Sequence, residues 1–290
     1  MTDSGEGRVA VYLDFDNIVI SRYDQIHGRN SFQRDKAAGF HKEPGRLTTA
    51  TVDVGAIIDF ASSFGTLVLT KAYADWSADV NAEYRGQLVG RAVDLVQLFP
   101  AAAYAKNGAD IRLAVDAVED MFRLPDLTHV VIVAGDSDYI ALAQRCKRLG
   151  RYVVGIGITG SISRSLTAAC DEFVSYDALP GVPAAAPDAA PKRRTRRTKA
   201  EPDEEPEPPD QQAAATGLLE RALRIGHEKD DADWLHNSAV KAQMKRMDPS
   251  FSEKSLGFRS FSDFLRSRSD VADLDESSTT RMVRLKTEAT

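Results

Sequence analysis

Between Val9 and Tyr176 the chain alternates short apolar runs rich in β-branched residues with stretches of helical periodicity, and few folds accommodate that rhythm. The strand-like runs are Val9–Phe15, Thr66–Tyr73, Ala92–Leu98, His129–Ala134, Tyr152–Ile156 and Glu172–Ser175. The helical stretches are Val52–Ser63, Val80–Val89, Ile111–Phe122, Tyr139–Leu149 and Ile162–Ala169. Apolar strands separated by helices imply βαβ units, and so an α/β fold with a mostly parallel sheet flanked by helices. From Ser21 to Thr51 the pattern fades into a polar stretch with Gly28, Gly39, Pro44 and Gly45, which predicts a long loop of the functional or mobile kind.

In such a sheet the ligand crevice lies at the carboxyl ends of the strands. Two strand runs lead into acidic strings, Leu13-Asp14-Phe15-Asp16-Asn17 and Gly135-Asp136-Ser137-Asp138. A third string, Lys106-Asn107-Gly108-Ala109-Asp110, leads into the helix Ile111–Phe122 and sets Asp110 at or beside its N-cap. Asp110, Asp136 and Ser137 have an ordinary explanation as caps, each worth about 1 kcal/mol. Asp14 lacks that explanation, because an acid inside a buried strand needs a partner. Strand alternation would point Asp14 and Asp16 to one face. Converging carboxylates raise one another's pKa unless a cation lies between them. The simplest such cation is Mg²⁺ or Mn²⁺, which takes oxygen ligands and suits phosphoryl chemistry.

The chain has 290 residues, 43% of them hydrophobic and 28% charged, enough for more than one core. No apolar run approaches the roughly 18 residues of a membrane helix, so no membrane association is expected. The opening Met1-Thr2-Asp3-Ser4-Gly5-Glu6 has neither the basic nor the apolar part of a signal peptide. Cys146 and Cys170 have no CxxC partner, which argues against a zinc or disulfide framework and for a reducing, cytoplasmic setting. A net charge of −6 argues against general stickiness for nucleic acid while leaving local basic patches open.

From Pro180 to about Ala214 the sequence reads as a disordered linker rich in Ala and Pro, with a basic block Lys192–Lys199 and an acidic block Glu201–Asp210. It is a tether, or in its basic half an arm that attracts RNA. Globular patterning then resumes. Leu218, Leu219 and Leu223 start one helix; Trp234-Leu235 with Val240, Met244 and Met247 suggest another. Pro249 and Phe251 make a turn, and Phe258, Phe261, Phe264 and Leu265 lie at helical spacing. Val271, Leu274, Met282, Val283 and Leu285 suggest a closing hairpin, the layout of a winged helix. Lys241, Lys245, Arg246, Lys254, Arg259, Arg266 and Arg268 outnumber the acids Asp248, Glu253 and Asp263 there, with Lys241 and Lys245 on one helix face. They are candidates for phosphate contact, or simply a solvated surface.

The three acidic strings, in this order and βα context, with Tyr73-Ala74-Asp75-Trp76 and Leu149-Gly150-Arg151, resemble the NYN domain of the PIN-like, FLAP-nuclease-related group of Rossmann-like folds. The resemblance covers about Arg8 to Asp177. It implies a metal-dependent ribonuclease in which Asp14, Asp110, Asp136 and Asp138 hold Mg²⁺ or Mn²⁺. Asn17 would hold the first turn or touch substrate, with Asp16 and Ser137 supporting the ligands from behind and Lys106 meeting nucleic acid. Trp234-Leu235, Pro249-Ser250-Phe251 and Leu256–Leu265 are similar to the OST-HTH, or LOTUS, domain, which implies a partner that is RNA or, in some members, protein. The expected organisation is a catalytic domain over 1–180, a linker over 181–213 and a winged-helix domain over 214–290.

Three rivals remain. Gly155-Ile156-Gly157-Ile158-Thr159-Gly160 fits a dinucleotide fingerprint, but it follows a late strand. Asp14-Phe15-Asp16 with Gly135-Asp136 resembles a haloacid-dehalogenase-type phosphatase, from which Asn17 and the close GDSD spacing depart. An inactive RNA-binding adaptor would keep the fold without turnover.

Overall fold

The computed structural model describes residues 7–40, 44–99, 108–183, 211–230, 232–277 and 281–286. The chain divides into two compact units, Met1–Asp188 and Ala189–Thr290.

In the first unit β1 (Arg8–Asp14) is followed by α1 (Phe15–His27), α2 (Ser31–Ala38), α3 (Pro44–Thr49) and α4 (Val54–Ser62). Then come β2 (Thr66–Ala74), α5 (Asp79–Ala82), α6 (Arg85–Val89) and β3 (Asp94–Gln97). After α7 (Gly108–Arg123) the alternation is regular: β4 (His129–Val133), α8 (Ile140–Arg148), β5 (Tyr152–Gly157), α9 (Arg164–Ala169) and β6 (Glu172–Ser175). All six strands pair in parallel, in the order β3-β2-β1-β4-β5-β6. Chain direction across the sheet reverses at β1, so the crevice between the ends of β1 and β4 is the switch point where such sheets bind ligands.

Alternation along each strand sorts the core into two layers. Val9, Val11 and Leu13 of β1 pack with α1 and α4 on one face, while Ala10 and Tyr12 pack with α7, α8 and α9 on the other. Both layers exclude water, which is why the strands read as unbroken apolar runs. Asp53 and Ser163 cap α4 and α9 by accepting from Ala56 N and Leu166 N. Gly65, at φ 140°, turns the chain into β2 so close to Gly7 that a Cβ would lie 1.9 Å from its carbonyl oxygen.

Three sequence expectations for the first unit need correction. Ser21–Thr51 is not a loop: it holds most of α1, then α2 and α3. The buried stripe of α1 runs through Phe15, Ile18, Val19, Arg22 and Tyr23, and the arginine in it breaks the apolar pattern. Arg22 is buried because Asp177 and Gln25 each accept from it at 2.7 Å. The first strand ends at Asp14, so Asp16 lies in a helix and strand alternation does not relate the two. The single helix expected over Val80–Val89 is two short ones, α5 and α6. Gly155 and Gly157 serve packing: a Cβ at either would run into Phe173.

In the second unit α10 (Gln211–Asp230) leads to β7 (Leu235–His236), α11 (Asn237–Met247), α12 (Phe261–Arg266), β8 (Ala272–Asp275) and β9 (Met282–Leu285). The strands form a sheet in the order β7-β9-β8. Leu219, Leu223, Val240, Met244, Phe264, Leu265 and Val283 make its core, the arrangement of helices and hairpin expected of a winged helix. Leu235 belongs to a strand rather than to the helix its apolar neighbours suggested. Of the expected linker, 184–210 lies outside the described residues, and Gln211–Ala213 already belong to α10. Among the described residues no helix is long and apolar enough to cross a membrane.

Candidate active site

Asp14 closes β1 and at once caps α1: its Oδ1 accepts from Asn17 N at 3.1 Å. It therefore has the capping role the sequence withheld from it. Its Oδ2 accepts from the Tyr139 hydroxyl at 2.8 Å, and the residue is only 3% exposed. Burial raises the Asp14 pKa to about 7, against the lowering effect of the Tyr139 and Asn17 hydrogen bonds, and Asp110 and Asp16 push it the same way.

Asp110 lies in the first turn of α7, within the helix rather than ahead of it as its cap. Its pKa is raised, first by burial and then by Asp136 and Asp138, while the Tyr139 hydroxyl and Asp14 act to lower it. Burial and the two carboxylates raise the Tyr139 phenol, which keeps it a donor. Tyr139 is thus the hub of the site, and the sequence offered no sign of it beyond its place directly after the acidic string.

Asp136, Ser137 and Asp138 follow β4 and are exposed. Asp136 caps a single 3-10 turn, accepting from Asp138 N and the Ser137 hydroxyl at 3.3 Å each. Asn17 ties this turn to the first turn of α1 by accepting from Gly135 N at 3.3 Å. Gly135 has no room for a side chain: a Cβ would sit 2.7 Å from the Ser161 carbonyl oxygen. Asn17, Asp136 and Ser137 line an open cleft with Gly160, Ser161 and Ser163.

Asp16 points elsewhere. It accepts from Asp75 N at 3.2 Å and from Asn81 Nδ2 at 2.6 Å, pinning the loop after β2 beside the site. Nothing in the sequence marked Asn81. Lys106 lies outside the described residues.

The donor set suits a hard divalent cation: carboxylate oxygens, with raised proton affinity at the two inner ones. The groups acting on Asp14 and Asp110 are burial, hydroxyl and amide donors, and other carboxylates. Among the described residues no three acidic, His or Cys side chains already form a cage for an ion.

In the second unit Lys241 Nζ donates to Glu253 Oε1 at 2.5 Å, and Glu253 is buried. The Lys241 and Lys245 ammonium groups hold the Glu253 carboxyl below its ordinary range against burial, which raises it. Arg266 pairs with Glu276 and Asp263. Arg268 donates to Thr216 at 2.7 Å and to Gln212, and lies over the Phe258 and Phe264 rings. Arg246, Lys254 and Arg259 are exposed.

The first unit is thus a parallel α/β sheet with acids at its switch point, and the second a winged helix. The NYN domain family model matches residues 8–177, and the OST-HTH/LOTUS domain model matches residues 208–284. The chain belongs to the NYN domain family and carries an OST-HTH/LOTUS module after that domain. Among solved structures it is similar to a protein of unknown function from Vibrio parahaemolyticus, at 20% identity and a TM-score of 0.45, over 60% of this chain and 96% of that one. No curated protein matches the chain significantly. NYN domains are generally nucleases and the OST-HTH module is linked to RNA, so a nuclease or RNA-associated role follows.

Proposed function

We propose that this chain is a ribonuclease that hydrolyses RNA phosphodiester bonds with Mg²⁺ or Mn²⁺, its RNA gathered by the C-terminal module. One observation supports the reading: at the switch-point crevice buried Asp14 accepts from Tyr139 and feels the Asp110 carboxylate, which in turn feels Asp136 and Asp138. Asp14, Asp110, Asp136 and Asp138 would hold the ion. Bound there, it would polarise the phosphate and lower the pKa of a water. Tyr139 orients the Asp14 carboxylate, Asn17 fixes Gly135 and the turn after it, and Asp16 steadies the neighbouring loop. Lys245, Arg246, Lys254 and Arg259 meet RNA phosphates; Lys241 is committed to Glu253. Free, buried Cys146 and Cys170, both thiols raised by burial to about 12, suit a reducing cytoplasm.

The test is the purified chain with labelled RNA, in Mg²⁺, Mn²⁺ or EDTA. Either ion should support cleavage and EDTA should abolish it. Asp14→Asn and Asp136→Asn should lower cleavage by orders of magnitude while the fold persists. Undiminished cleavage in either variant overturns the site.

A second reading, an RNA-binding adaptor without turnover, is favoured by one fact. Both Asp14 oxygens already have protein partners, Asn17 and Tyr139. RNA binding with no cleavage in any metal would establish it, and protein binding without RNA binding would reassign the C-terminal module.

A further inference from the structure

Helix α7 is apolar on two sides. Its inner face packs Leu113, Ala117 and Met121 against the sheet and seats Asp116 and Asp120 on the hydroxyls of Tyr73 and Tyr12. Its outer face carries Ile111, Val115 and Phe122, which are 64%, 57% and 71% exposed, with Val118 partly buried between them. Scattered exposed apolar residues need no explanation. These four form one stripe at spacings of four, three and four residues, the seam of a coiled coil. A helix that is apolar all round is ordinarily buried all round.

We propose that this stripe is the interface of a homodimer, α7 of one copy lying antiparallel on α7 of a second. Two features select a second copy. A two-fold axis through the middle of the stripe sets Ile111 against the partner's Phe122 and Val115 against the partner's Val118, so the surface complements itself, as an isologous interface must. Arg112 and Glu119 lie on the same flank seven residues apart, and the same axis brings Arg112 opposite the partner's Glu119, twice. Each already has a partner on its own helix: Arg112 pairs with Asp116, which is itself buried, and Glu119 pairs with the exposed Arg123, a contact that contributes little on its own. Arg145 of α8 borders the groove beside the stripe. The patch is smaller than a standard interface of roughly 800 Å² per partner, so the dimer is a weak, reversible one.

Sedimentation velocity of the full chain, over a concentration series reaching hundreds of micromolar, tests this. The wild type should show a monomer–dimer equilibrium. Val115→Glu with Phe122→Glu should shift it toward monomer by at least about tenfold in Kd, with an unchanged circular dichroism spectrum. Arg112→Glu should weaken association, and adding Glu119→Arg should restore it. A wild type monomeric at every concentration, or a Glu variant that associates like the wild type, overturns the dimer. Charge reversal that weakens without rescue overturns the antiparallel pairing.

Discussion

Tyr139 donates its hydroxyl proton to Asp14 Oδ2 across 2.8 Å, joining the end of β1 to the turn after β4. Both groups are buried, so each satisfies a need the other creates. Tyr139→Phe keeps the ring and removes the donor. Asp14 then keeps a buried oxygen without that partner, and denaturant melts should show a loss of about 1–3 kcal/mol. Under the ribonuclease reading RNA cleavage falls as well, because Asp14 loses the group that orients it. A melt identical to the wild type would show that Tyr139 is not the hub.

Asp14 also sets a pH dependence. Its folded-state pKa is about 7 against an ordinary 3.8, so between those values the folded chain holds a proton that the unfolded chain has released. Stability from this group is fully present below about pH 4 and falls as pH rises through 7. The whole effect is at most on the order of 4 kcal/mol. Asn at position 14 still caps α1 but cannot ionise. In EDTA, Asp14→Asn should therefore melt higher than wild type at pH 8, with the gap closing toward pH 5. Thermal melts at the two pH values check this, and a gap that widens at low pH would refute it.

Much of this was legible in the sequence, and the failures have identifiable physical causes. The six strands of the first unit were readable because both faces are buried, which leaves unbroken runs such as Val130–Val133. Helix α1 was not, because its buried stripe includes Arg22, whose charge is met by Asp177, 155 residues away, with help from Gln25. The acids Asp14, Asp110, Asp136 and Asp138 were singled out from their place beside strand and helix ends, where the structure also sets them. Asp16 was assigned to the wrong face because the cap at Asp14 ends the strand one residue early. Basic residues on a helix look alike in sequence, and only the fold distinguishes Lys241, held by Glu253, from Arg246, which is exposed.

That distinction predicts a stability effect. Lys241→Ala leaves Glu253 buried at 7% exposure without its closest cation, while Lys245 still acts on it. The second unit should lose about 1–3 kcal/mol, less than for a fully buried pair because Lys241 is partly exposed. The Glu253 pKa is lowered in the fold, so the stability it contributes is present above the ordinary carboxylate range and is lost as pH falls through it. The cost of Lys241→Ala should shrink in acid for that reason. Glu253→Gln added to Lys241→Ala should recover part of the loss at pH 7. Unfolding monitored across pH checks both outcomes, and a variant as stable as wild type at pH 7 would refute the pairing.

The exposed basic residues make the complementary prediction for RNA. Arg246 lies in the last turn of α11, and Arg259 just precedes α12, capped by Ser260, whose hydroxyl accepts from Asp263 N at 3.1 Å. If both meet phosphates, each adds a salt-dependent and largely sequence-independent share of affinity. Arg246→Ala with Arg259→Ala should then flatten the slope of log affinity against log salt by about two at most, and by less on single strands. Neither side chain enters the core of Leu219, Val240, Phe264 and Val283, so the melting temperature should stay within a degree or so. The measurement is RNA binding by the full chain over a salt series, with an unrelated RNA of equal length as control. A double variant that binds with the wild-type slope would make these arginines a solvated surface. A loss confined to one RNA sequence would make them readers of bases rather than of phosphates.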